Sequence, residues 1–139
     1  MRITQEGDYA LRVVLYLCKE NMNEPKKSKI ISEHEKIPLR FLLKLFRKLN
    51  KAGIIKSFRG AEGGYSIAKS PDKITLKDII EAIDGPIFIN RCIYDADFCN
   101  LNRTNTCDIH HALLKIQKRL VEDLENITID NVIKGEVQF

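Results

Sequence analysis

The stretch Lys36-Ile37-Pro38-Leu39-Arg40-Phe41-Leu42-Leu43-Lys44-Leu45-Phe46-Arg47-Lys48-Leu49-Asn50-Lys51 carries two periodicities at once. Leu42, Leu45 and Leu49 fall at i, i+3 and i+7, the spacing of one buried helical face. Arg40, Lys44, Arg47 and Lys51 fall at i, i+4, i+7 and i+11 and set a stripe of cations over about three turns of another face. Pro38 suits the first turn, where its missing N–H costs nothing, and Gly53 suits the end, so a helix is predicted over residues 39–52. From Lys36 to Arg59 there are eight basic residues and no Asp or Glu. A field of one sign points to a polyanionic partner, because ordinary surfaces mix signs. The competing reading is a solvated helix face.

Immediately upstream, Ser28 can cap a short helix through Ile30, Ile31 and Glu33, preceded by a polar, Pro25-containing loop over residues 21–27. Two short helices joined across Lys36-Ile37-Pro38 make a helix-turn-helix, and its second, basic helix matches the width of the DNA major groove. Immediately downstream, Ile54–Phe58 and Tyr65–Ala68 are β-rich runs around Arg59-Gly60-Ala61-Glu62-Gly63-Gly64, which reads as a hairpin. In that place a hairpin is a wing. Its glycines let the backbone come close to a phosphate chain, and Arg59 is placed for a minor groove, where negative potential attracts a guanidinium. An ordinary glycine turn is the alternative.

Further out, Val13, Val14, Leu17 and Cys18 follow helical spacing and predict a buried first helix, with Cys18 as core packing. Thr75 with Asp78 forms a capping-box pattern opening a helix to about Asp84, which Gly85-Pro86 ends. Residues 87–106 read as mostly irregular. A long helix is predicted from about Cys107 to Asn126, and Ile109, Leu113, Ile116, Leu120, Leu124 and Ile127 draw a narrow apolar seam along it. Such a seam fits a two-helix contact, hence a homodimer; packing onto the chain's own domain is the alternative. The fold class is mainly α with a small β-hairpin: a winged helix-turn-helix plus a long C-terminal dimerisation helix. The expected division is a DNA-binding domain over residues 1–85, a cysteine loop over 86–107, and the dimerisation helix with a tail over 108–139.

Composition agrees with a chain that folds on its own core. Of 139 residues, 44% are hydrophobic and 30% charged, enough to bury a core without metal or disulfide. The net charge of +4 is unevenly divided: residues 1–85 hold 17 basic and 11 acidic residues, a net +6, and residues 86–139 hold 6 and 8, a net −2. No run has the length of a membrane span and no signal peptide opens the chain, so the expected location is cytoplasmic, with no membrane contact. There, cysteines read as ligands, sensors or core residues before disulfides. Cys92, Cys99 and Cys107 follow C-x6-C-x7-C, with His110 and His111 just after. Thiolates suit zinc and iron–sulfur clusters, and these spacings are wider than the tight pairs of structural zinc. A multi-iron cluster fits them; three metal-free thiols are the alternative. Nothing resembles a nucleophile elbow, a phosphate loop or paired catalytic carboxylates, and His34 between Glu33 and Glu35 reads as solvated, so an enzyme is not expected.

Met1-Arg2-Ile3-Thr4, Gly7-Asp8-Tyr9-Ala10-Leu11-Arg12, the wing Arg59–Tyr65, the three cysteines before the long helix and Asn126-Ile127-Thr128-Ile129 after it resemble the Rrf2 family of bacterial transcription regulators, over nearly the whole chain. The resemblance is to its iron–sulfur-binding type. It implies a dimeric repressor whose binding to a double-stranded DNA operator depends on a cluster, 2Fe–2S or 4Fe–4S, held by Cys92, Cys99 and Cys107. His110, His111 and Asp8 are the candidate fourth ligands: His110 by its place three after the last cysteine, His111 by its His-Ala-Leu context, and Asp8 as a carboxylate donated from the partner subunit. The candidate DNA-contacting residues are Arg2, Thr4, Pro38, Arg40, Phe41, Lys44, Arg47, Lys48, Arg59 and Gly60, and the candidate dimer residues are Ile109, Leu113, Ile116, Leu120 and Leu124. The alternative function is a winged-helix repressor with a structural zinc or no metal, controlled by a protein or small-molecule partner.

Overall fold

The computed structural model describes residues 1–20 and 24–137. Helix α1 (Gln5–Lys19) opens on Thr4, whose side chain accepts the Gly7 N–H. Helices α2 (Ser28–Glu35) and α3 (Leu39–Lys51) follow, joined by the expected tight turn. Lys36 takes the left-handed conformation (φ 54°) that ends α2, Ile37 is buried, and Pro38 sits at the N-cap of α3 rather than inside its first turn. Of the loop expected over 21–27, residues 21–23 lie outside the described residues.

Strands β1 (Ile55–Phe58) and β2 (Gly64–Ile67) pair antiparallel, Ile55 opposite Ile67 and Phe58 opposite Gly64. The predicted hairpin is therefore present, and it gains a third member. Lys26 and Tyr65 exchange both backbone hydrogen bonds, at 2.9 and 2.8 Å, so the segment before α2 pairs with β2. Gly64 (φ +149°) makes this possible: a Cβ there would lie 2.3 Å from the Lys26 carbonyl oxygen.

Helix α4 (Leu76–Asp84) opens on the predicted capping box, with Thr75 and Asp78 bonding each other's backbone. Residues 87–106 are less irregular than the sequence suggests. They contain α5 (Arg91–Tyr94) and two 3-10 turns (Ala96–Phe98 and Thr104–Thr106), the first two of the three capped by the Asn90 and Asp95 side chains. Helix α6 (Asp108–Asn126) begins one residue later than predicted because Cys107 is its N-cap, accepting the His110 N–H. Helix α7 (Ile129–Lys134) is a further element, opened by a Thr128–Asn131 capping box and ended by Gly135 in the left-handed region.

One core unites these elements. Ala10, Val13, Val14 and Leu17 of α1 meet Leu42, Leu45, Phe46 and Leu49 of α3, Ile79 and Ile83 of α4, Ile55 and Ile67 of the hairpin, and Ile129 of α7. Phe46, 1% exposed, stacks on Tyr65 with centroids 4.0 Å apart and fastens the wing to the recognition helix. Truncating such a ring to Ala costs about 3–5 kcal/mol. The chain end is stitched back: Ile129 N–H bonds the Ile74 carbonyl and Leu76 N–H bonds that of Ile127. Helix α6, by contrast, has a single buried residue, Gln117. Ile109 and Ile116 of its apolar seam stand 68% and 56% exposed, while Leu113, Leu120 and Leu124 are half-buried. No helix among the described residues is long and apolar enough to cross a membrane.

Candidate nucleic-acid interface and cysteine loop

The basic face of α3 divides into free and engaged cations. Arg40, Arg47 and Lys51 are exposed, with the Arg40 guanidinium 5.6 Å from the centroid of the exposed Phe41 ring. Pro38 is exposed beside them. Lys44 is exposed but donates to Glu6 at 2.9 Å. Lys48 is half-buried and donates to the other Glu6 oxygen and to the Ile83 carbonyl, both at 3.2 Å. Lys44 thus stays at the surface beside Glu6, whereas Lys48 braces α3 against α1 and α4. The two ammonium groups, Lys44 foremost, hold the Glu6 carboxyl below its ordinary range.

Thr4 also has a structural task. Its hydroxyl donates to Asp84 at 2.5 Å while capping α1, so the start of the chain is tied to the end of α4 and the exposed Arg2 extends from that anchor. At the wing tip Arg59 and Gly60 are exposed, and Gly60 has φ +99°, which a side chain rarely adopts. Sequence reasoning passed over Lys27 and Lys29. With Ser28, Ser57, Arg59 and the Gly60 backbone they line an open hollow between the start of α2 and the wing, continuing the positive face. The run Lys26-Lys27-Ser28-Lys29 across the start of α2 was the available signal.

The cysteine loop assembles in part. Cys92 Sγ lies 3.1 Å from His110 Nδ1, and Cys107 Sγ accepts the His110 backbone N–H at 3.4 Å. Asn90 Nδ2 also reaches Cys92 Sγ at 3.5 Å. The N–H groups of Arg103, Leu101 and Asn102 favour the thiolate of Cys99 and draw its pKa down. All three thiols are half-buried and free, while burial pushes the Cys18 thiol up to about 12. His111 is exposed next to His110, and Asp8 lies on α1, 3.7 Å from Arg12. No group of three or more His, Cys, Asp and Glu side chains is gathered at metal-binding distance among the described residues. The donors are nonetheless the right kind for an iron–sulfur cluster: soft, accessible sulfurs with an imidazole already against one of them.

A helix-turn-helix with a basic second helix, followed by a paired wing, defines a winged-helix DNA-binding protein. Residues 3–135 match the family model described as Rrf2, iron-dependent transcriptional regulator. The chain belongs to the Rrf2 family and is a transcriptional regulator of it, not an enzyme. It is 31% identical over 136 residues to the HTH-type transcriptional regulator IscR of Pectobacterium carotovorum, covering 98% of this chain and 81% of that one. The fold superposes on CymR, the global cysteine regulator of B. subtilis, with TM-score 0.78, 27% identity and coverage of 97% and 98%. It superposes on T. potens IscR with TM-score 0.71, 26% identity and coverage of 99% and 89%.

Proposed function

We propose that the protein is a cytoplasmic, homodimeric repressor whose operator binding is set by an iron–sulfur cluster on the cysteine loop. The observation that carries this reading is the Cys92–His110 contact, at 3.1 Å, beside a third element of the pattern, Cys107 capping the same helix. Cys92, Cys99 and Cys107 would hold the cluster, with His110 as the fourth ligand ahead of His111 and Asp8. When bound, the cluster supplies a redox- and nitric-oxide-sensitive group whose loss changes the stability of the loop. The chain's own residues do the rest. Cys107 ends the loop as the N-cap of α6, its sulfur accepting the His110 N–H. Asn90 and His110 orient Cys92. Arg40, Lys44, Arg47, Arg59 and the Gly60 backbone meet DNA, with Arg2 as an N-terminal arm. Ile109, Leu113, Ile116, Leu120 and Leu124 form the dimer seam, supported by the exposure of Ile109 and Ile116.

A second reading has support of its own. Because the fold superposes well on CymR, described as a global cysteine regulator, the loop also suits a metal-free repressor controlled by a partner. The test is the visible spectrum and elemental analysis of protein purified without oxygen. Iron and sulfide with a brown chromophore, lost in each Cys→Ala variant and in His110→Ala, are expected. Colourless protein with zinc alone, or with no metal, replaces the cluster reading with the structural or partner-controlled one.

A further inference from the structure

The linker between α4 and α5, residues 85–90, is fastened on both sides. At its start Asp84 accepts from Thr4 Oγ1 at 2.5 Å and Thr4 N at 3.4 Å, and the Ile83 carbonyl accepts from Lys48 of the recognition helix at 3.2 Å. Farther along, Gln117 of α6 grips the backbone on either side of Phe88. Its Oε1 accepts the Ile89 N–H at 2.9 Å, and its Nε2 donates to the Ile87 carbonyl. Gln117 is 8% exposed, in a helix whose other residues are not buried. A buried amide is costly unless its donor and acceptor are both used, and here both are used by one peptide segment. Phe88, between the two gripped residues, stacks on Tyr94 of α5 with centroids 4.8 Å apart, two residues beyond Cys92. On its other side the linker shares a hollow with Met1, Arg2 and Thr4.

We propose that Gln117 is a positioning residue for operator binding, a clamp that fixes the linker and thereby sets the N-terminal arm and the Lys48 end of α3. The cysteine loop reaches α6 through Cys107 and reaches the linker through α5, so a change in the loop is passed to the DNA-binding face through this clamp. The inference rests on the DNA-binding reading above. The test therefore reads the coupling at a distance from the clamp.

The experiment uses full-length protein without DNA, prepared as wild type, Gln117→Met and Gln117→Glu. Met keeps the volume and removes both hydrogen bonds; Glu keeps the acceptor for Ile89 and loses the donor to Ile87. Hydrogen exchange should accelerate at residues 85–90 and also at residues 2–8 and 45–51 in both variants. Operator Kd should rise at least about fivefold for Met, the low end of ordinary coupling between sites. Faster exchange confined to residues 85–90 and α6, with Kd within about twofold of wild type, overturns the proposal and leaves Gln117 as local packing. If the wild type binds no DNA, the DNA-binding reading falls, and the exchange at residues 2–8 and 45–51 still decides the clamp by itself.

Discussion

Single side chains on the recognition helix have unequal work, and the sequence could not separate them. Lys44 and Lys48 are four apart on α3 and share Glu6, but Lys48 is half-buried and also donates to the Ile83 carbonyl, which makes it a brace. Lys48→Ala should therefore lower thermal stability more than Lys44→Ala, and Lys44→Ala should weaken DNA binding more; a calorimetric scan and an operator titration of each separate the two. The pH dependence follows from Glu6. Its carboxyl is held below the ordinary 4.5, first by the Lys44 hydrogen bond and then by Lys48. A depressed folded-state pKa gives stability that is present above 4.5 and lost as pH falls through the lower folded value. Glu6→Gln should be less stable than wild type at neutral pH and converge with it in acid, as read from urea midpoints across that range. The four thiols also differ in kind. Cys99 is half-buried, with backbone N–H groups that favour its thiolate, and Cys18 is buried with its pKa pushed up to about 12. Because the thiolate is the nucleophile, iodoacetamide on native, metal-free protein should label Cys99 first and leave Cys18 unmodified, which peptide mass mapping checks. Equal labelling of both would contradict the burial of α1.

At the scale of elements, the sequence was most legible where a local rule and a buried face agree. The two leucine and isoleucine faces, the Thr75–Asp78 box and the glycine-flanked hairpin each combine a short-range signal with a hydrophobic one, so α3, α4 and the wing emerge where expected. Helix α7 escaped because it spans only six residues, too short for its periodicity to register, although Thr128, Asn131 and Gly135 mark both its ends. The cysteine loop is built from one-turn helices set by caps at Asn90 and Asp95, and its internal contacts join residues 18 apart, such as Cys92 and His110. No pattern of period two or 3.6 reports such contacts. Gln117, flanked by Ile116 and Lys118, reads in sequence as a surface residue; only the returning linker makes it a buried one. The seam of α6 leads to a firm expectation. Ile116 is 56% exposed in the single chain, so Ile116→Lys costs the isolated fold little. In a dimer seam the same ammonium would be buried without a partner, which is expensive. Sedimentation should show wild type as a dimer and Ile116→Lys as a folded monomer. A wild-type monomer, or a variant that remains dimeric, would remove α6 from the interface.

For the whole molecule, the division of charge decides how affinity responds to salt. Residues 1–85 carry a net +6 and residues 86–139 a net −2, so the wing and recognition helix lie on the positive part of the chain. Arg40, Lys44, Arg47 and Lys51 are exposed on α3 and Arg59 at the wing tip, Lys48 being held inward. A dimer doubles that face and places two recognition helices on half-sites about one helical turn, roughly 34 Å, apart. Each phosphate neutralised contributes about −0.9 to the slope of log K against log salt. If every one of those five cations reaches a phosphate in both copies, the slope approaches about −9; contacts to base edges make it shallower. Titrating a two-half-site fragment and a single half-site at several salt concentrations should give slopes in a ratio near two, and Lys44→Ala should reduce the two-site slope by roughly two phosphates' worth. Equal slopes on the two fragments would mean that one copy engages DNA at a time, and the paired basic faces would then serve separate duplexes.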